Sequence, residues 1–338
     1  YNEVDQPDPA PELTHNVRPV QVTMKGHRHH SWERLAVPLR LRKDKCDLYH
    51  GTFNTLPPRW WAMRLPPMVV TIHDVIVTWI DENLDDPYVR YVRAVTPRVV
   101  RDAKKILTPS EFSKRDICER FGGDPDKIEV IHNGLHPEYL EPADPGKVAW
   151  VREHHAGGLP YVFVLGASLE RKNTAAAVEA FGRVVAKDGA LPHRLVINGL
   201  NPEARGRIQG VAEAAGVADR LVTLPYLTRQ ELVAVYAGAD LAVYPTLAEG
   251  WGFPVLEALS QGTPIATSNT TSLPEVGGEH ASYFDPTDLE SMAAVIGEAL
   301  LKPERFASIR DAAITRARTF TWARHAAAYL DCVTSLGG

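Results

Sequence analysis

No apolar run in these 338 residues approaches the roughly 18 to 20 needed to cross a bilayer. The opening segment, YNEVDQPDPAPEL, is acidic and proline-rich rather than signal-like, so the expected location is the cytoplasm. Cysteine is scarce: Cys46, Cys118 and Cys332 are far apart and odd in number, which suits neither a disulfide framework nor a zinc site. Basic excess is also missing, with 37 Lys and Arg against 42 Asp and Glu, and a net charge of −5 argues against a general nucleic-acid partner. No side chain stands out as an enzymic nucleophile. Asp124 and Asp126 spell D-x-D, but GGDPDK reads as a turn, and no metal is expected.

The chain has enough length and apolar content, 44%, for two domains with separate cores. Its organising stretch is DLAVYPTLAEGWGFPVLEALSQGTPIAT, Asp240 to Thr267. Asp240 to Pro245 has strand character, and Pro254 to Gln261 has helical spacing with Val255, Leu256, Ala258 and Leu259 inward. Pro254 suits the start of the helix and Gly262 its end, before a strand from Pro264 to Thr267. In an open parallel sheet, ligands collect beyond the carboxyl ends of the strands. That position here holds Glu249, Gly250, Trp251, Gly252 and Phe253, with the helix amides behind them. Glu249 and Glu257 are two-oxygen acceptors suited to neighbouring hydroxyls, while a helix N-terminus attracts phosphate. A sugar nucleotide satisfies both.

Other strand ends point to the same chemistry. In the first half, Met68 to Ile72 is a β-branched strand that delivers His73, able to donate to a hydroxyl or phosphate, into the crevice. Val20 to Met24 and Cys46 to His50 are further strands there, and Trp32 to Leu41 is a helix interrupted by Pro38. Tyr88 to Ile106 is a long basic helix that Pro97 should kink, and Ser110, or else Ser113, caps the next one. Lys127 to Asn133 is the last strand of that half, and Glu141 to Lys147 is a linker and hinge. In the second half, Tyr161 to Leu165 ends at Gly166, and Arg171 and Lys172 precede a helix from Thr174 to Ala186. Two cations and free helix amides there suit a diphosphate. Strands Leu195 to Asn198, Leu221 to Leu224 and Leu241 to Tyr244 alternate with helices, which predicts a doubly wound α/β sheet; Gly199, Pro225 and Tyr226 line its edge. The tail adds helices from Asp288, Arg305 and Trp322. Residues 1 to 150 carry 21 basic and 22 acidic side chains, and their basic cluster from Lys25 to Lys45 could meet an anionic membrane or a phosphorylated acceptor.

EGWGFPVLEAL resembles the E-x7-E signature of retaining GT-B glycosyltransferases of family four. VVTIHDV, ILTPSEFSKRDICERFG, GASLERKN and SNTTSLPEVGG resemble further segments of that family. The resemblance implies two Rossmann-like domains facing a cleft: an acceptor domain over 1–142 and a nucleotide-sugar domain over 143–320. A final helix, 321–338, would pack back on the first. It also implies that Glu249 contacts the donor sugar, Glu257 the ribose, Arg171 and Lys172 the phosphates, the Tyr226 segment the nucleobase, and His73 the gap between donor and acceptor. Catalysis would rest on His73, Glu249 and Lys172, with retention of configuration and no cofactor or metal. The wording around Arg171 suggests a hexose, best guess mannose from GDP-mannose, passed to a glycan, lipid-linked or small-molecule acceptor. Trp251 replaces the more usual Phe and should keep the loop's bulk, while Leu135 and His136 depart from the family's wording. The family's glycine-rich loop is not found ahead of Val20. A sugar-nucleotide-binding protein without turnover, or a GT-B phosphorylase or epimerase, are the competing readings; oligomeric state is open.

Overall fold

The computed structural model describes residues 28–59, 64–80 and 84–336. The expected strand from Val20 to Met24, and the start of the basic cluster at Lys25, lie outside them. Among the described residues, ten parallel strands form two sheets. The first has the order β1 (Tyr49–Gly51), β2 (Met68–Thr71), β3 (Lys105–Thr108), β4 (Ile128–Val130). The second, of six strands, has the order β10 (Ser282–Phe284), β9 (Ile265–Ser268), β8 (Leu241–Tyr244), β5 (Tyr161–Leu165), β6 (Arg194–Asn198), β7 (Leu221–Thr223). The reversal between β5 and β8 is where such a sheet opens a crevice.

Helices of the first sheet are α1 (Val37–Asp44), α2 (Pro87–Asp102) and α3 (Glu111–Phe121), followed by the connecting α4 (Pro137–Leu140). A π-helical segment, Arg28–Ala36, leads into α1, which carries Pro38 in its first turn, where no amide bond is lost. The expected helix from Tyr88 to Ile106 ends sooner. Ala103 turns extended, and the following residues are recruited as β3 between β2 and β4, with Val69 opposite Lys105. Pro97 lies inside α2, which continues through it. Ser110 caps α3 by accepting from the Ser113 amide. Asp124 caps a single 3-10 turn containing Asp126, as the turn reading of GGDPDK requires.

The second sheet carries α5 (Pro145–Ala156), α6 (Thr174–Lys187), α7 (Pro202–Ala214), α8 (Arg229–Gly238), α9 (Phe253–Ser260), α10 (Leu273–Gly277), α11 (Leu289–Leu301), α12 (Glu304–Ala307) and α13 (Arg310–Arg318). Part of the expected linker is in fact helical, because Asp144 caps Pro145–Lys147 into α5. Its remaining residues are tied to the second sheet's side: the Gln261 side chain accepts from the Ala143 amide and donates to the carbonyls of Tyr139 and Glu141. The tail helix expected from Arg305 is broken into α12 and α13.

One face of β5 packs Tyr161 and Phe163 against Tyr236 of α8 and the apolar side of α9, and the other packs Val162 and Val164 against Phe181 of α6 and the apolar side of α11. Burial on both sides explains the unbroken apolar strand YVFVL. The last helix, α14 (Trp322–Thr334), packs Cys332, Tyr329 and Val333 against Val69, Leu107 and Ile131 of the first sheet's region. Thr321 pairs with Leu135 just before it.

Candidate active site

The carboxyl ends of the two sheets meet at β2 and β8. The loop after β8 presents Glu249, whose Oε1 receives four donors: Arg171 Nη1 at 3.0 Å, Lys172 Nζ at 2.6 Å, Tyr244 OH at 2.8 Å and Thr246 Oγ1 at 2.8 Å. Glu249 Oε2 receives no such bond among the described residues. The sequence brought Arg171, Lys172 and Glu249 to one edge; their direct pairing, and the parts of Tyr244 and Thr246, it did not reveal. Lys172 also donates to the Tyr244 hydroxyl at 2.8 Å. Arg171 and Lys172 sit on a 3-10 turn, Glu170–Lys172, that runs into α6 through Asn173 at φ 55°.

Three helices open onto this edge without a side-chain cap: α6 behind Asn173, α9 behind Gly252 and the short α10 behind Ser272, whose hydroxyl donates to the Glu249 carbonyl instead. By contrast α7 and α8 are capped by Asn201 and Thr228. Uncapped amides are an anion's natural partners. Gly166 and Gly199 lie back to back after β5 and β6. Gly199 has φ +92°, and a Cβ there would sit 2.5 Å from the Gly166 carbonyl, so no larger residue fits. Tyr226, after β7, is 96% exposed, leaving its ring free for a planar ligand. Phe253, at the start of α9, is also exposed.

Glu257 is not on a solvated helix face. One turn into α9, it accepts from the Tyr236 hydroxyl at 3.0 Å. Burial, opposed by bonds from Tyr236 and Tyr139 and by Arg229, pushes its carboxyl up to about 7.

Trp251 requires a correction. Expected to contact the donor, it is buried instead, stacked on His132 at 5.1 Å with Phe320 on its edge at 5.5 Å. Its bulk fastens the loop to the junction between the sheets. Gly250 is likewise a junction residue. Its carbonyl accepts from Ser110 Oγ at 2.8 Å, and a Cβ would collide with the His73 carbonyl and lie 2.6 Å from Asp74 Cβ. Ser110, read from the sequence only as a helix cap, therefore also clasps the opposite side.

His73 follows β2 at the same junction. Its backbone amide donates to Asn54 Oδ1 at 2.8 Å, and its Nε2 lies 3.1 Å from the Thr52 carbonyl. A carbonyl can only accept, so Nε2 carries the proton and Nδ1 keeps the lone pair. Burial lowers the His73 pKa, partly offset by Thr52 and Asp74, which favours this neutral form. Asp74 shifts upward through burial, despite the Ile76 amide and Arg171.

Glu275 braces the junction. Both its oxygens accept the Glu111 amide that opens α3, at 3.0 and 2.9 Å, and Oε1 also meets His132 Nε2 at 3.0 Å. Burial raises its pKa, but His132 and these amides outweigh that and hold it below the usual carboxylate range.

Comparison with known proteins follows this division. Residues 150–318 match the glycosyl transferases group 1 and residues 3–139 match glycosyltransferase family 4. O-antigen chain mannosyltransferase B of Escherichia coli is 28% identical over 283 residues, 83% of this chain and 72% of that protein. MMP alpha-(1->4)-mannosyltransferase of Mycolicibacterium hassiacum is 28% identical over 272 residues, 76% of this chain and 62% of that one. A glycosyltransferase of Rickettsia africae superposes with a TM-score of 0.71 at 15% identity, over 92% of this chain and 83% of its own; the shared fold is GT-B.

Proposed function

The chain belongs to the group 1 glycosyltransferases of family 4, and from that premise we propose that it moves a hexose, mannose in the first instance, from a nucleotide-diphosphate sugar to a glycan or lipid-linked acceptor with retention of configuration. The observation that carries the reading is the Glu249 carboxylate, held through one oxygen by Arg171, Lys172, Tyr244 and Thr246. Its second oxygen is left for a donor hydroxyl. The diphosphate lies across the α6 N-terminus, where Arg171, Lys172 and the α6 amides offset its charge as it leaves, without a metal ion or cofactor. Arrival of the phosphates draws Lys172 from the carboxylate toward them, which frees more of Glu249 for the sugar. Gly166 and Gly199 let the backbone approach the nucleotide closely, the base packs near Tyr226, and the ribose reaches Glu257. His73, with its Nδ1 lone pair, accepts from a sugar hydroxyl between donor and acceptor. The departing phosphate takes the acceptor's proton on the same face, giving retention. Two mannosyltransferase relatives support mannose as the sugar, and GDP-mannose is the donor proposed with it.

The acceptor side fits a membrane-borne substrate. Leu35 and Leu39 form a short exposed apolar stripe about one turn apart, Trp32 is exposed in the π-helical lead, and Arg34, Arg42, Lys43 and Lys45 are exposed nearby. Such a stripe suits the inner face of an anionic membrane. No described helix is long and apolar enough to cross one.

A thermal-shift panel of GDP, UDP, ADP and dTDP and their sugar conjugates tests the donor site, since a ligand bound only to the folded state raises Tm. A selective rise with one nucleotide, lost in Lys172→Ala, is expected. No rise with any of them would overturn the assignment.

A further inference from the structure

Phe53 lies beyond β1, at the carboxyl edge of the first sheet, yet 56% of it is exposed. Its neighbours in sequence are both committed to His73: Thr52 receives His73 Nε2 and Asn54 receives the His73 amide. Asn54 is held at φ 56°, a conformation non-glycine residues rarely adopt. The loop is thus tightly specified, and what it holds outward is a phenyl ring. That ring lies 5.2 Å from the His73 imidazole and 5.8 Å from the Tyr88 ring, centroid to centroid. His73 fixes one edge of it and Tyr88 another, so the orientation is set while a large part of the surface stays open to solvent.

We propose that Phe53 is the platform on which the acceptor's sugar ring stacks, so that the acceptor is a pyranoside and Phe53 helps set its specificity. This deepens the function proposed above and rests on it. The chemistry is general. One face of a pyranose presents C–H groups of slight positive charge, and the face of a phenyl ring carries negative charge. Stacking there removes apolar surface from water while leaving the sugar's hydroxyls on the rim for hydrogen bonds. The position also fits transfer: a ring on Phe53 lies beside His73, whose backbone touches Gly250 of the donor loop. The acceptor is therefore presented at the seam between the two sheets. A buried aromatic would have served stability alone; an exposed one fixed against His73 serves a ligand.

The test is saturation-transfer NMR on the full chain with the methyl α- and β-pyranosides of mannose, glucose and galactose, alongside transfer kinetics from GDP-mannose. Ring-proton signals from at least one glycoside are expected with the native protein. They should vanish in Phe53→Ala and persist in Phe53→Tyr, with KM for that glycoside raised about tenfold in the Ala variant. Signals from no glycoside, or signals unchanged in Phe53→Ala, would overturn the proposal. So would an equal fall in transfer and donor hydrolysis, which would make Phe53 a prop for His73. If glycosides bind through Phe53 but no nucleotide is released from any donor, the transferase reading fails while the platform stands.

Discussion

Gly250→Ala tests the coupling of the two sheets. The added methyl would meet the His73 carbonyl and lie 2.6 Å from Asp74 Cβ, and these neighbours are backbone and the root of a side chain, which cannot swing aside. Restoring ordinary contact at 3.4 Å requires a displacement of about 0.8 Å along that line. The shift also stretches the bond from Ser110 Oγ to the Gly250 carbonyl, now 2.8 Å, beyond good geometry. Glu249 is the preceding residue, so the loop that carries it moves relative to His73. Misplacement of about 1 Å at a reacting centre costs on the order of a hundredfold in rate. Nucleotide release from GDP-mannose in the presence of acceptor should fall by about that factor. The two cores are untouched, so the circular-dichroism spectrum should stay native. A variant with near-native turnover would refute the close-contact argument.

Three further outcomes follow from named groups. Glu257 has its pKa raised from 4.5 to about 7, so the folded state holds a proton that the unfolded chain releases; stability falls as pH rises through that window. Glu257→Gln should therefore gain about 3 kcal/mol relative to the native protein between pH 5 and pH 8, read by urea unfolding, whereas parallel profiles would contradict the burial argument. Glu275→Gln removes the carboxylate that caps α3 and should cost about 1 kcal/mol at neutral pH. Because the Glu275 pKa is depressed, that cost should shrink as pH drops through the native group's titration; a constant gap would deny the carboxylate its role. Leu35→Glu with Leu39→Glu should abolish co-sedimentation with vesicles containing anionic lipid, and retained binding would place membrane contact elsewhere.

Much of the fold was legible because its signals are local. YVFVL, short, rich in Val and stopped by Gly166, reads as a doubly buried strand, and the alternation of such runs with helical spacing predicts a parallel sheet. Pro254 and Gly262 marked the helix after the organising loop because their backbone restrictions act at their own positions. Errors arose where tertiary pairing overrode local pattern. Lys104 to Ile106 continue the helical spacing of α2, but the gap between β2 and β4 takes them as a strand. The site was legible in its charges: Arg171, Lys172 and Glu249 were found by type and spacing. It was not legible in its supports. Nothing local marks Tyr244 as a donor to Glu249, Asn54 as a bracket for His73, or Glu275 as the cap of a helix 164 residues away, since each is a contact made across the fold. Trp251 misled for the same reason. Its loop faces the crevice, yet the ring turns the other way, into a gap bounded by His132 and Phe320.

The most direct measurement is nucleotide release from GDP-mannose and its uridine and adenosine counterparts, comparing the native chain with Glu249→Gln. Release is expected with one donor, at a rate lowered at least a hundredfold in the variant, because the amide forfeits the charge that gathers Arg171 and Lys172. Equal rates in the two proteins would contradict it.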